Sequence, residues 1–421
     1  MKNANIEKAY AAACERYAEL GVDVEKAIKK LEKVPVSLHC WQSDDVGGFE
    51  KPDASLSGGG IQTTGNYPGK ARNIGELKED LKKAYSLIPG QKRLNLHAIY
   101  GEFGGKLVDR DQIEPKHFQG WVDFAKEQNI KLDFNSTLFS HPKADAGYTL
   151  SSLDNSIRDF WIEHTQRCRR IAAFMGKELN ATCFHNIWIP DGSKDITVER
   201  YAHRAVLKES LDQIFKTEYP NSEMRDTLES KLFGIGSESY VVGSHEFYMG
   251  YAFTNKKTLC FDMGHFHPTE SIADKISSAL LFSDALLLHV SRGVRWDSDH
   301  VVIFNDDLQN LMLEIVRMDA LDKVAFGLDY FDASINRVGA MVIGARAAQK
   351  ALLFALLEPL SKLKEYEAKD KGFERLALLE EAKTLPFGDV WNYYCVKAGV
   401  APAEDYITEI AQYEKDVTSK R

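Results

Sequence analysis

Eight short apolar runs, rich in β-branched and aromatic residues, recur along this chain, and that recurrence limits its fold more than any other feature. They are VPVSLHCW (34–41), RLNLHAIY (93–100), LDFNSTLF (132–139), TCFHNIWI (182–189), ESKLFGIG (229–236), TLCFDMGH (258–265), ALLLHVSR (285–292) and VAFGLDYF (324–331). Helical sequence fills most of the intervals, which is the pattern of strands that must cross over through a helix to pair in parallel. Eight such units predict an α/β fold, the (β/α)8 TIM barrel, whose site is built by side chains at the C-terminal ends of the strands. A doubly wound sheet would need a Gly-rich first turn opening a helix, and the chain has none.

The flanks read differently. Residues 4–32 carry apolar positions at helical spacing, broken at Gly21-Val22-Asp23. Further helices are expected over 74–88, 115–128, 153–176 and 197–218. The tail from 339 to 421 is rich in Ala, Leu, Glu and Lys and strongly helical, with Pro359 dividing its first helix. This gives two expected parts: a barrel catalytic domain with N-terminal helices (1–340) and a helical C-terminal extension (341–421). The extension packs across the barrel or onto another subunit. Between the first strand and the next helix lies a loop (41–71) rich in Gly, Ser, Asp and Pro. A loop this long inside a compact domain is expected to be a lid or binding element. Its Gly58-Gly59-Gly60 run matches no phosphate-binding pattern.

Composition narrows the partners. With 421 residues, 44% of them hydrophobic, the chain can bury a large core, while a formal net charge of -9 argues against a nucleic-acid backbone as ligand. The six cysteines form no CxxC pair, which fits a reducing cytoplasm and gives no zinc-finger signal. The N-terminal MKNANIEKAYAAACERYAEL is amphipathic and of mixed charge rather than a signal peptide. No apolar run approaches the length of a membrane span, so none is expected.

The chemistry concentrates in the second half. Glu229, Asp262, His265, His289, Asp297, Asp299 and Asp329 each sit at or just past an apolar run. Taken singly, a strand-end Asp is more often a helix cap or turn former, and His289 after three leucines more often a satisfied core histidine. Together they supply enough oxygen and imidazole ligands for two divalent cations in one cleft. Carboxylate plus imidazole with no thiolate favours manganese, cobalt, magnesium or zinc. Glu229 and Lys231, two apart on an expected strand, leave the same face, and Asp297 and Asp299 follow the same rule if the WDSD tip is extended. Lys231 either donates to a substrate oxygen or makes a salt bridge with one of the acids. Earlier strands add His97, Asn135, Trp188 and Asp191. Trp188 either packs against the apolar face of a sugar or belongs to the core. Two cations beside a neutral polyol can chelate adjacent hydroxyls and polarise a carbonyl, which moves hydrogen between neighbouring carbons without an organic cofactor. The same cluster serves a metal-dependent hydrolase equally well, and the fold does not choose between them.

The runs VPVSLHCWQSDDVGGFE, TGNYPGKARN, NIWIPDG, ESKLFGIG, EFYMGYA, GHFHPTE, LLLHVSR, VRWDSDHVV and FDASINR closely resemble the bacterial L-rhamnose isomerase family, and the likeness continues into the tail at RLALLEE. That resemblance implies a barrel related to xylose isomerase, assembled as a homotetramer in the cytoplasm. It implies Mn2+-dependent interconversion of L-rhamnose and L-rhamnulose by ring opening and a hydride shift between C1 and C2. Two divalent ions per subunit are implied, with Co2+, Mg2+ or Zn2+ as substitutes. Glu229, Asp262, His289 and Asp329 would hold a structural ion. His265, Asp297 and Asp299 would hold a catalytic ion, with Glu229 bridging. His97, Trp188 and Lys231 match substrate-contacting positions, Lys231, Asp329 and Asp297 are the catalytic candidates, and the loop around 44–70 matches a cover over the site.

Overall fold

The apolar runs become eight parallel strands that close on themselves. A computed structural model describes residues 3–50, 63–231, 239–294 and 299–421. Its barrel strands are β1 (Val36–His39), β2 (Lys92–His97), β3 (Lys131–Asn135), β4 (Cys183–Trp188), β5 (Met224–Glu229), β6 (Thr258–Asp262), β7 (Leu286–Val290) and β8 (Val324–Leu328). Each strand pairs in parallel with its sequence neighbours, and β8 pairs with β1 to complete the barrel. A helix follows every strand on the outside, from Ile74–Tyr85 after β1 to Arg337–Leu356 after β8. Asparagine, aspartate and serine side chains start several of these helices by accepting from a backbone N–H in the first turn: Asn73 from Glu76, Ser244 from Phe247, Asn305 from Leu308 and Asn336 from Gly339. Such caps fix where these four loops over the barrel mouth end. A small antiparallel ribbon, Gly192–Ser193 with Tyr240–Val241, joins the loops after β4 and β5.

The fifth strand corrects the sequence reading. The strand is Met224–Glu229, not 229–236; Glu229 is its last residue and Lys231 lies beyond it, so the two do not share a pleated face as expected. Residues 232–236 lie outside the described residues. The strand escaped notice because MRDTLE is polar where an outward-facing strand residue is normally apolar. Asp226 there points between the sheet and the helix Asn155–Leu179. It accepts from Arg169 Nε and Nη2, both at 2.9 Å, while His185 Nδ1 lies 3.2 Å away. Lys257 Nζ adds a further contact at 3.4 Å. Burial alone would raise the Asp226 carboxyl, but His185 and Arg169 outweigh it and hold it below the usual carboxylate range.

Outward residues elsewhere keep the expected apolar pattern. Leu94, Leu96, Phe134, Leu259, Leu288 and Leu328 are buried, and Phe134 packs edge-on against Phe118. The inward face of β1, β2 and β3 is polar. Ser37 Oγ donates to Asp133 Oδ2 at 2.8 Å, and Asn135 Nδ2 donates to Asn95 Oδ1 at 2.7 Å. A polar barrel interior survives burial because its members satisfy each other.

The helix Arg337–Leu356 is long and apolar enough, by length and composition, to cross a membrane, where the sequence pointed to no such span. It is a core helix: 83% of its apolar window is buried inside the protein. It packs against β1 and the helices Val24–Leu31, Ile74–Tyr85 and Asp306–Arg317. Pro359 separates it from the next helix, Leu360–Ala368, as the sequence predicted. Three further helices, Gly372–Ala382, Phe387–Lys397 and Asp405–Asp416, complete the tail. The helix Phe387–Lys397 packs on the N-terminal helix Asn3–Ala18, where Tyr10 and Tyr393 stack with ring centroids 3.6 Å apart.

Candidate metal centre and active site

Strand register brings the acids and imidazole together. Asp262 at the end of β6 lies level with His289 on β7, which lies level with Gly327 on β8, while Glu229 at the end of β5 lies level with Cys260. Inward alternation then aims Glu229, Asp262, His289 and Asp329 at one volume at the C-terminal mouth. One ligand atom from each lies within 4.8 Å of the others. His289 Nδ1 is 3.1 Å from Asp329 Oδ2, 3.3 Å from Glu229 Oε2 and 4.0 Å from Asp262 Oδ2. Gly327 makes room for the imidazole: a Cβ there would meet His289 Cδ2 at 3.3 Å, tighter than ordinary contact.

These groups fit a divalent cation. Three carboxylates crowd into a site where Glu229 is 2% exposed and Asp262 is fully buried. Glu229 Oε1 and both ring nitrogens of His289 are buried without a hydrogen-bond partner among the described residues, since the short His289 contacts have poor hydrogen-bond angles. Orphaned donors and acceptors are costly in a dry interior, and a cation bound by all four residues would satisfy the carboxylate oxygen and one of the two ring nitrogens. The charges already respond to one another. Burial alone would raise Glu229, yet His289 and His265 hold it below the usual carboxylate range. Burial wins at Asp329, which is raised despite His289.

Surrounding bonds orient the ligands. Asp262 Oδ1 accepts from the Gly264 backbone N–H and from Ser291 Oγ, both at 2.6 Å, which turns Oδ2 toward His289. Asn186 on β4 donates from Nδ2 to Glu229 Oε2, and its own Oδ1 accepts from Thr227 Oγ1 at 2.8 Å. His265 Nδ1 donates to the Ser230 carbonyl at 3.0 Å, which places the imidazole lone pair on Nε2. The same ring stands 3.0 Å from Glu229 Oε1, so His265 joins the cluster through that carboxylate. Asp299 returns to the mouth because Arg292 and His300 bridge the loop after β7, and its carbonyl accepts from Phe331 N, two residues past Asp329. Asp297 lies outside the described residues.

The aromatic candidates form a wall beside the cluster. The Trp188 ring lies nearly parallel to His265, with centroids 6.1 Å apart, and Lys231 Nζ sits 4.7 Å over the indole. Phe139 packs edge-on against the same indole. His97 stacks on Trp41 at 4.2 Å, and its Nδ1 lies 3.0 Å from Thr137 Oγ1. Burial, reinforced by His289, holds His97 well below its ordinary value, so it is a neutral imidazole. Asp191 does not join the site. Thr149 and Ser151 satisfy it with backbone and hydroxyl bonds of 2.6–3.0 Å, making it a structural knot under the ribbon. Asn135 faces inward but is spent on Asn95.

Sequence reasoning missed four residues here. Trp41 follows β1 just as the other candidates follow their strands, and that signal was available. His39 is buried with both ring nitrogens unpartnered among the described residues. Asn186 is an ordinary strand residue until its partner Glu229 is known. Cys260 stands beside the carboxylate and imidazole set, its Sγ within 4.8 Å of ligand atoms of Glu229 and His289.

The L-rhamnose isomerase (RhaA) family model matches residues 4–421. The chain belongs to the L-rhamnose isomerase family. It is 61% identical over 420 residues to an L-rhamnose isomerase of Bacteroides thetaiotaomicron, with 100% of each chain covered. It is 57% identical over 417 residues to one from Rhodopirellula baltica, covering 99% of this chain and 97% of that one. Among solved structures, a D-psicose 3-epimerase superposes at a TM-score of 0.47 with 11% identity, covering 76% of this chain and 98% of the other, and nothing about chemistry follows from it. As a member of the L-rhamnose isomerase family the protein is an isomerase, and the hydrolase alternative finds no support in these relatives.

Proposed function

We propose that the protein interconverts L-rhamnose and L-rhamnulose at the mouth of its barrel. The observation that carries this reading is the four-residue group Glu229, Asp262, His289 and Asp329 in a full-length member of the L-rhamnose isomerase family. These four would hold one divalent ion, and His265, Asp297 and Asp299 a second, with Glu229 shared. Mn2+ is the expected metal, and Co2+, Mg2+ or Zn2+ would substitute, since oxygen and imidazole donors accept all four. When bound, such ions polarise neighbouring sugar oxygens and favour hydride transfer between C1 and C2.

The protein's own residues do the rest. Trp188 presents a flat face to the sugar and keeps water from the reacting carbons. Lys231, held over that ring, donates to a substrate oxygen. Neutral His97, fixed by Trp41 and Thr137, offers a hydrogen bond without adding charge. Asp297 and Asp329 are the acids that would hold a proton in transit. The loop around 44–70 would cover the site; its residues 51–62 lie outside the described residues, and its described arms are pinned by Arg337 to Asp45 and by Tyr67 N to the Ala333 carbonyl. The subunits assemble as a homotetramer in the cytoplasm. In support, the tail helix Gly372–Ala382 buries none of its residues and leaves Phe373 82% and Leu376 61% exposed. All six cysteines are free thiols, as a reducing compartment requires.

The test strips the protein with chelator, adds Mn2+ and follows ketose formation from L-rhamnose beside Asp297→Ala and Glu229→Gln. Restored activity in the parent alone is the expected result. Ketose formation in the stripped protein, or none from any aldose with metal bound, overturns the proposal.

A further inference from the structure

One buried cation is spent entirely on the segments behind the aromatic wall. Arg110 opens a short turn in the loop after β2 and is 1% exposed. A guanidinium has five N–H donors in a rigid fork, and Arg110 places all five. Nη1 donates to the Thr137 carbonyl at 2.7 Å and to the Phe139 carbonyl at 2.5 Å. Nη2 donates to the Ser140 carbonyl at 3.0 Å and to Glu50 Oε1 at 2.9 Å, and Nε donates to Glu50 Oε2 at 3.1 Å. The three carbonyls belong to one segment after β3, whose backbone is left-handed at Thr137 (φ 56°) and Ser140 (φ 53°). A β-branched residue seldom holds that conformation without outside support. The conformation has two consequences at the barrel mouth. It sets Thr137 Oγ1 3.0 Å from His97 Nδ1, where it also accepts from the Ala98 backbone N–H at 3.1 Å. It sets the Phe139 ring edge-on to Trp188, with centroids 5.5 Å apart.

We propose that Arg110 is a positioning residue for the sugar: it holds the segment 137–140 so that His97 and Trp188 keep the spacing and tilt the substrate needs. Glu50 neutralises the guanidinium and ties that segment to the one after β1. The proposal rests on the preceding reading, in which His97 and Trp188 face the sugar. The five bonds of Arg110 go to the segments after β1 and β3, whereas the metal candidates stand on or after β5 to β8. Its loss should therefore reach the sugar and leave the ion alone. Charge by itself cannot replace it, because lysine brings three donors on a flexible stem and no planar fork.

The test compares full-length parent, Arg110→Lys and Glu50→Gln, each loaded with Mn2+. Both variants should bind Mn2+ as tightly as the parent, which also shows that they fold. Arg110→Lys should raise KM for L-rhamnose about tenfold and lower kcat/KM about 100-fold, the scale of a positioning group displaced by about an ångström. Glu50→Gln leaves the three carbonyl bonds in place and should show the same split to a smaller degree. A merely structural role lowers the active fraction, and with it kcat, without moving KM. Hydrogen exchange gives a readout that needs no sugar. The amides of Ala98 and of 137–140 should exchange faster in both variants, while those of β7 keep the protection of the parent. Parent KM in both variants, or unchanged exchange at Ala98, overturns the proposal. If Arg110→Lys fails to fold, Glu50→Gln carries the same tests. Failure of the isomerase reading is seen separately, as a parent that forms no ketose, with the exchange result still deciding whether Arg110 holds the wall.

Discussion

Replacing Asn186 with leucine should weaken divalent-metal binding without unfolding the barrel. Asn186 donates to Glu229 Oε2, and Thr227 Oγ1 holds its amide in the donating orientation. Leucine has a similar volume and no donor, so the Glu229 carboxylate loses a fixed hydrogen bond and gains rotational freedom. A hydrogen bond to a charged group contributes about 1.5–3 kcal/mol. At 1.4 kcal/mol per factor of ten, that converts to about 10- to 100-fold in metal affinity. Outer-sphere partners of metal ligands cost about the same when removed elsewhere. Calorimetric titration of Mn2+ into chelator-stripped protein reads the affinity directly, and circular dichroism confirms the fold. Thr227→Val should give a smaller loss, and the double variant less than the sum of the two, because one bond acts through the other. An Asn186→Leu protein that binds Mn2+ as tightly as the parent would refute the reasoning.

Four further outcomes can be checked. Arg169→Met should cost about 3–5 kcal/mol in urea unfolding, because it strands the buried Asp226 carboxylate, while the double change with Asp226→Leu should recover much of that loss. Gly176→Ala should lower the thermal midpoint, since a Cβ there would lie 1.7 Å from the Glu223 carbonyl oxygen. Burial raises the Asp44 carboxyl to about 7, against donors from Tyr100 and Gly48. The folded chain thus binds that proton more tightly than the unfolded chain, and stability from this group falls as pH rises from about 4 to 7; Asp44→Asn should show a flatter stability–pH profile. Mn2+ at about 100 times its dissociation constant should stabilise the protein by about 2.7 kcal/mol against chelator-treated protein, and an unchanged unfolding midpoint would deny that the folded state holds the ion.

Much of this molecule is written in local pattern. Seven of the eight strands were legible because an outward face packed on helices demands apolar residues, and β7 and β8 supply them as LLL and VAF. One helix start was legible too, at 74, where Asn73 caps the turn that follows it. Ligands at strand ends follow from the same logic, because that end of a barrel is where side chains converge. What the local pattern hid, the tertiary structure decided. Strand β5 was hidden because Asp226 is paid for by Arg169, 57 residues away in the chain. Asn186 and Cys260 became part of the site through register alone: β4 sets Asn186 beside Glu229, and β6 sets Cys260 level with it. A residue's own neighbours determine which elements it can join and which face it prefers. Which atoms meet across a closed barrel depends on how eight strands align, and no short stretch of chain carries that information.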